Sequence, residues 1–258
     1  MAATKTQTIE INGCTLAYRR LGKGAPLLWL HGTDGLMEWP AIVDRLARTH
    51  DVIVPDHPGF GATPVPDWMG DVSDLAYLYM SLIEALDLAG VHIVGQSLGG
   101  WIGAEMAVRS TFLLESLTLI CAAGIHVKGH PKTDIFMIDP DEQARLAYAS
   151  GDLAEAAAQR ASAAKYQEDA IANRVASARF GWNPRFHNPR LERWLGRIDI
   201  PTLIVWGEQD RIFAPAHAEA FHRAIPGSRV AMIKDAGHLP HVERLEQTLT
   251  ALLEFLED

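Results

Sequence analysis

Polar and apolar residues alternate from Thr6 to Ile11 and again from Cys14 to Leu21, with Asn12-Gly13 between the two stretches. Period-two alternation marks a strand with one covered face, and Asn-Gly suits a two-residue hairpin turn, so the chain is expected to open with an antiparallel hairpin. The pattern then changes. Residues 27–30, 52–54, 91–94, 117–120, 202–206 and 230–233 are short, nearly unbroken apolar runs, as expected of strands covered on both faces. Helical spacing occupies 41–48, 71–88, 98–109, 215–224 and 243–256, the last with apolar residues at 245, 249, 252, 253 and 256 on one helical face. Strands alternating with helices predict an α/β fold: a mostly parallel eight-stranded sheet with helices on both faces.

One stretch breaks this rhythm. From 125 to 196 no convincing buried strand occurs; an irregular His/Pro/Gly segment is followed by an Ala-rich helical region, Asp152 to Arg179, and by Trp182-Asn183-Pro184-Arg185-Phe186-His187-Asn188-Pro189. The reading is a helical cap inserted after the sixth strand, dividing the core into 1–124 and 197–258. The simpler alternative is a pair of ordinary crossover helices with long loops.

Composition narrows the function classes. The 258 residues are 48% hydrophobic and 21% charged, which suits a globular core and excludes a disordered or collagen-like chain. The formal net charge is −9 and no Lys/Arg run occurs; the densest stretch, Arg185 to Arg197, is interrupted by Pro189 and Glu192. Nucleic acid and anionic membrane are therefore not expected as partners. Cys14 and Cys121 form no CxxC pair, the first residues lack the apolar stretch of a signal peptide, and no run has the roughly 20 apolar residues of a membrane span, so the expected location is cytoplasmic.

The chemistry concentrates in Gly95-Gln96-Ser97-Leu98-Gly99, followed by Gly100, directly after one apolar run and directly before a helix. Small residues flanking a serine permit a tight strand-to-helix turn that leaves the hydroxyl exposed at the sheet's end. The plainer alternative is a glycine-rich helix start that binds an anion. A serine hydroxyl needs a base and an orienting acid to become a nucleophile. Trp206-Gly207-Glu208-Gln209-Asp210 follows one strand and Asp235-Ala236-Gly237-His238 the next, so Asp210 and His238 are expected in neighbouring loops at the strands' carboxyl ends.

With His31-Gly32-Thr33 after the third strand and Asp56-His57-Pro58-Gly59-Phe60-Gly61 after the fourth, these motifs resemble the α/β-hydrolase superfamily over essentially the whole chain apart from the insertion. The resemblance implies Ser97 as nucleophile, His238 as general base and acid, and Asp210 as the orienting acid, in preference to Glu208 or Asp235. It also implies an oxyanion hole from the backbone N–H groups of Leu98 and Thr33. Some relatives carry the acid after the sixth strand, but Cys121-Ala122-Ala123-Gly124 offers no carboxylate.

Other residues have plainer readings beside functional ones. His31 and the Asp56–Gly59 turn are expected to be structural. Asp34 either caps a following helix or meets a polar substrate group. His126 and His130 with Asp134 have a spacing that suggests a metal, but Gly129 and Pro131 argue against a helix that would hold them, and neither metal nor cofactor is expected. His241 is expected at the surface or a pocket edge. Trp29, Trp101 and Trp206 are expected to pack the core, whereas Trp39 and Trp182 are candidates to line a substrate pocket. Phe136, Met137, Ile138, Tyr148 and Phe186 would add apolar wall, with Phe136 the chief candidate.

The leading expectation is a cofactor-free serine hydrolase that cleaves a small, largely apolar carboxylic ester through an acyl-enzyme. Serine at position 97 separates the chain from haloalkane dehalogenases and epoxide hydrolases of similar fold, which use aspartate. The Gly100-Trp101-Ile102 run also resembles hydrolases of aromatic ring-cleavage products, which cut carbon–carbon bonds in vinylogous diketones and require a cation; Arg179, Arg185 and Arg190 are the candidates. A ligand receptor on a hydrolase scaffold is the non-enzymatic alternative. The expected partner is a small-molecule substrate, with the chain a monomer or homodimer.

Overall fold

The computed structural model describes residues 5–130 and 132–257. The first four residues of the stretch read for a leader, and Pro131, lie outside the described residues. The opening hairpin is β1 (Gln7–Ile11) and β2 (Cys14–Gly22), antiparallel, with Asn12 and Gly13 both at positive φ (52° and 78°), as the tight turn requires. Then come β3 (Ala25–Leu30), α1 (Ala41–Leu46), β4 (His50–Pro55), α2 (Val72–Ala85), β5 (Val91–Gln96), α3 (Leu98–Arg109) and β6 (Leu114–Ile120). The eight-stranded sheet has the order β1-β2-β4-β3-β5-β6-β7-β8, parallel from β4 onward, closed by β7 (Thr202–Gly207) and β8 (Arg229–Ile233).

Burial explains the apolar runs. Every residue of β5 and β7 is buried. The run at 230–233 departs from the expectation of two covered faces: β8 is the edge strand, and Val230 and Met232 are exposed. α3 packs on β3, β5 and β6 and carries α2, whose N-terminus is closed by a reciprocal capping box between Asp71 and Asp74. On the other face α1 packs on β4, and α10 (Leu245–Leu256) packs on α1, β7 and β8. Its buried Leu249, Leu252 and Phe255 each contribute about 1.5–3 kcal/mol by leaving water.

Between β6 and β7 lie α4 (Pro140–Ala147), α5 (Gly151–Ala161), α6 (Ala164–Gly181) and the short α7 (Leu191–Trp194). The chain leaves and returns at one place. Gly124 bridges His187, and Asn188 N–H donates to the Gly124 carbonyl at 2.9 Å. After the return, α7 packs against α3 and α8 (Ala216–Ala224). α6 lies over the loops that follow β3 and β4: Asn173 Nδ2 donates to the Asp34 carbonyl, and Arg179 donates to the carbonyls of Met69, Asp67 and Pro66. No helix among the described residues is long and apolar enough to cross a membrane.

Candidate active site

Ser97 stands between β5 and α3 with φ 53° and ψ −111°, a conformation that costs a side-chain-bearing residue about 1–3 kcal/mol. Its glycine neighbours make the turn possible. A Cβ on Gly95 would collide with the Gly99 carbonyl, and one on Gly99 with the Leu30 carbonyl. Leu98 is the first residue of α3, so its N–H lies outside the helical ladder and is free to point at a ligand.

Three loops converge on this turn. His238 Nδ1 lies 2.9 Å from Asp210 Oδ2, and Ser97 Oγ lies 3.1 Å from His238 Nε2, so the ring can bond the carboxylate through one nitrogen and accept the hydroxyl through the other. All three side chains are buried. Asp210 Oδ1 accepts from the N–H groups of Ile212 and Phe213 at 2.8 and 2.9 Å, which fixes the orientation of the carboxylate. Glu208 and Asp235 are both exposed, so Asp210 is the carboxylate joined to the imidazole.

Two features of this cluster carry no sequence signal. Glu243, also buried, accepts from the N–H groups of Gly237, Ala149 and Ser150. It ties the histidine loop to the α4–α5 linker, where His238 N–H also donates to the Ala147 carbonyl at 2.7 Å. Cys121, just after β6, has metal-ligating atoms of Asp210 and His238 within 4.8 Å, the one such group of three among the described residues. Burial and the nearby Asp210 charge push its thiol well above its ordinary value, so it stands protonated beside an acid–imidazole pair already committed to each other. His126, His130 and Asp134 form no such group: His126 lies beside the His187 ring, and Asp134 pairs with Arg185.

The loop after β3 behaves as expected at His31, which is buried, contacts the Gly32 carbonyl through Nδ1 and accepts the His57 N–H through Nε2. Burial lowers its pKa to about 4 and holds it neutral. Asp56, whose Oδ2 accepts the Ala62 N–H, and His57 are likewise buried in a structural turn. Asp34 caps no helix, since α1 begins only after Pro40 and has no side-chain cap. Its carboxyl instead faces a cavity and accepts from Gln143 at 3.4 Å; the surrounding protein pushes its pKa up while the nearby His238 pulls it down.

That cavity has two chambers. A narrow one of about 20 Å³ is bordered by Ser97, His238, Phe186, Ile212 and Phe213. A wide one of about 430 Å³ extends under α4–α6 and is bordered by Trp39, Phe136 and Tyr148. Thr33, Asp34, Gln96 and Ile135 border both. Trp182 borders neither: half its surface is exposed and the Arg185 guanidinium stacks on it at 3.6 Å, because Arg185 is drawn to that side by Asp134. Met137 is likewise exposed, and Ile138 is absent from both walls. His241 is not a surface residue but a buried wall of the wide chamber, in ring contact with Trp29. Of the three arginines considered for a substrate carboxylate, Arg179 is spent on backbone carbonyls, Arg185 on Asp134, and Arg190 is exposed. Arg160 and Arg174 border the wide chamber instead.

Residues 25–245 match the family described as alpha/beta hydrolase fold. The chain belongs to that family. This α/β-hydrolase enzyme is 28% identical to Lipase 1 of Psychrobacter immobilis, across 93% of this chain and 82% of the relative. It is also 28% identical to the 2-hydroxy-6-oxo-6-(2'-aminophenyl)hexa-2,4-dienoic acid hydrolase of Metapseudomonas resinovorans, across 96% and 89%. Among solved structures, a bacterial membrane phospholipase A superposes with a TM-score of 0.82 at 24% identity, covering 99% of this chain and 86% of that one, a likeness of fold.

Proposed function

We propose that this hydrolase cleaves carboxylic esters through an acyl-enzyme on Ser97. The observation that carries the reading is the unbroken chain Ser97 Oγ–His238–Asp210 at the edge of a cavity. In the first step Ser97 Oγ bonds to the ester carbonyl carbon while its proton passes to His238 Nε2, and Asp210 stabilises the resulting imidazolium. The carbonyl oxygen becomes an oxyanion facing the N–H groups of Leu98 and Thr33, each such donor contributing about 2.7–4 kcal/mol. The C–O bond then breaks as His238 returns the proton to the departing alcohol. Water, deprotonated by the same imidazole, releases the acid and restores Ser97.

The chambers suggest how the ester lies. His238 borders only the narrow chamber, so the alcohol oxygen that it protonates belongs there. About 20 Å³ admits little more than a water-sized or methanol-sized group, which favours short alcohols. The acyl chain then runs into the wide chamber under α4–α6, and segment 125–196 acts as a cap that excludes water from the acyl-enzyme. The test is a series of methyl esters of lengthening acyl chain on parent and Ser97→Ala protein. The variant should lose roughly 10⁵–10⁶-fold in kcat; hydrolysis by the variant at the parental rate would overturn the mechanism.

A second reading has one observation in its favour. Arg160 and Arg174 border the wide chamber and could meet the carboxylate of a vinylogous diketone, the substrate type of carbon–carbon hydrolases. Arg160 is already paired with Glu38 at 3.0 Å, and Arg174 donates to the Ile138 carbonyl. Turnover of such a diketone far above any methyl ester would favour it.

A further inference from the structure

Asp34 is a carboxylate without a cation, standing where the two chambers meet. It borders both of them, beside Thr33, and it is an exposed residue, so a molecule in the cavity can reach its side chain. An ionised carboxylate has room for about four hydrogen bonds. Asp34 Oδ1 accepts one long contact from Gln143 at 3.4 Å, and no cation among the described residues forms an ion pair with it. Its backbone is held from two sides. Gly35, at φ 64°, closes a turn in which its N–H donates to the Gly32 carbonyl at 3.2 Å, and Asn173 Nδ2 on α6 donates to the Asp34 carbonyl at 2.8 Å.

The surroundings select the ligand. Arg160 is paired with Glu38 at 3.0 Å and Arg174 donates to the Ile138 carbonyl, so the two arginines bordering the wide chamber serve other groups. From α9 (Pro240–Glu243) come Val242 and a His241 that burial lowers to about 3 and keeps neutral. Tyr148 borders the same chamber within the influence of Asp34: burial and the Asp34 charge push its phenol to about 12, so it stays protonated. A carboxylate beside an aromatic wall attracts a cation through its charge and through the ring face, whereas a neutral hydroxyl answers only the first. Asp34 also shares the narrow chamber with Ser97 and His238, and about 20 Å³ holds one water-sized group. The group that meets Asp34 therefore lies within a few bonds of the reacting carbonyl.

We propose that Asp34 is a specificity carboxylate that binds an ammonium group carried on the α or β carbon of the acyl chain. The inference rests on the ester reading above and names the substrate class within it. Esters of amino acids with short alcohols are accordingly preferred over alkanoate esters of equal size. Asp34 sets this preference without exchanging a proton or forming a bond in the reaction itself.

The test measures kcat/KM for the methyl esters of α- and β-aminohexanoic acid and of α- and β-methylhexanoic acid, in which a methyl group replaces the ammonium. The parent should prefer at least one amino ester over its methyl counterpart by about 10-fold or more, the scale of one charge-assisted hydrogen bond. Asp34→Asn should bring that ratio to about 2-fold or below, and Asp34→Glu, which keeps the charge, should retain part of it. A ratio between two substrates on one protein is insensitive to a general loss of fold. Asp34→Ala repeats the measurement should the asparagine variant fold poorly. No preference for either amino ester in the parent, or a preference that persists in Asp34→Asn, would overturn the proposal. Calorimetric binding of the same esters to Ser97→Ala protein separates the two readings. A preference for amino esters in binding without parental turnover leaves the subsite standing and removes the ester mechanism; parental turnover with no preference in rate or binding does the reverse.

Discussion

At the residue scale the site is governed by which atom of each side chain is already engaged. Asp210 divides its carboxylate, one oxygen to the Ile212 and Phe213 amides and the other to His238. Asp210→Asn retains the volume and can retain the amide contacts, so the fold should survive with a Tm close to the parent's. The neutral amide no longer stabilises the imidazolium or selects its tautomer, and kcat should fall about 10⁴-fold with KM nearly unchanged. Steady-state kinetics beside a thermal melt checks both halves. The meeting of Ser97, His238 and Asp210 was legible in the sequence because each lies just beyond an apolar run, and a strand's end fixes where the next loop stands. Trp182 was misleading for a complementary reason. An aromatic in an insertion signals apolar contact, but Trp182 is covered by Arg185, which Asp134 holds from 51 positions earlier, a pairing invisible to periodicity.

At the scale of elements, the histidine loop is held from outside the Ser97–His238–Asp210 cluster. Glu243 accepts three backbone N–H groups, from Gly237 and from Ala149 and Ser150 in the α4–α5 linker. Glu243→Gln replaces an acceptor-only carboxylate by an amide that must turn an NH₂ toward at least one donor. We expect a stability loss of about 1–3 kcal/mol and a several-fold lower kcat, as His238 is positioned less firmly. Urea unfolding and kinetics on the variant measure these; parental values for both would show that the clamp is dispensable. Helices and strands were well marked in the sequence, but their exposure was not: the apolar run of β8 resembles that of β7, and only the sheet order makes one an edge and the other a centre.

At the scale of the whole molecule, buried neutral histidines link stability to pH. His31 is lowered to about 4 and His241 to about 3, and burial with the neighbouring His31 drives His57 well below its ordinary value. Their unfolded value is near 6.5, so below that pH the unfolded chain binds protons that the folded chain refuses. The stabilisation is complete above pH 6.5 and is lost as pH falls toward the folded values, at about 1.4 kcal/mol per pH unit for each histidine. Asp56, pushed up by burial, acts in the opposite sense at the acid end of the range. Denaturant midpoints should therefore drop between pH 7 and pH 5, and a flat profile across that interval would contradict the neutral assignments. The sequence placed His31 and the Asp56 turn as structural; the tilted contact of the His31 and His57 rings at 3.7 Å depends on two loops meeting and has no local signature.

The central claim is that Ser97 carries the acyl group, and covalent trapping tests it most directly. Treated with a fluorophosphonate, the protein should gain one adduct per chain by intact mass, located by fragmentation to the peptide containing Ser97, with ester hydrolysis lost in proportion to labelling. Labelling confined to another residue, or full hydrolysis by completely labelled protein, would contradict the account.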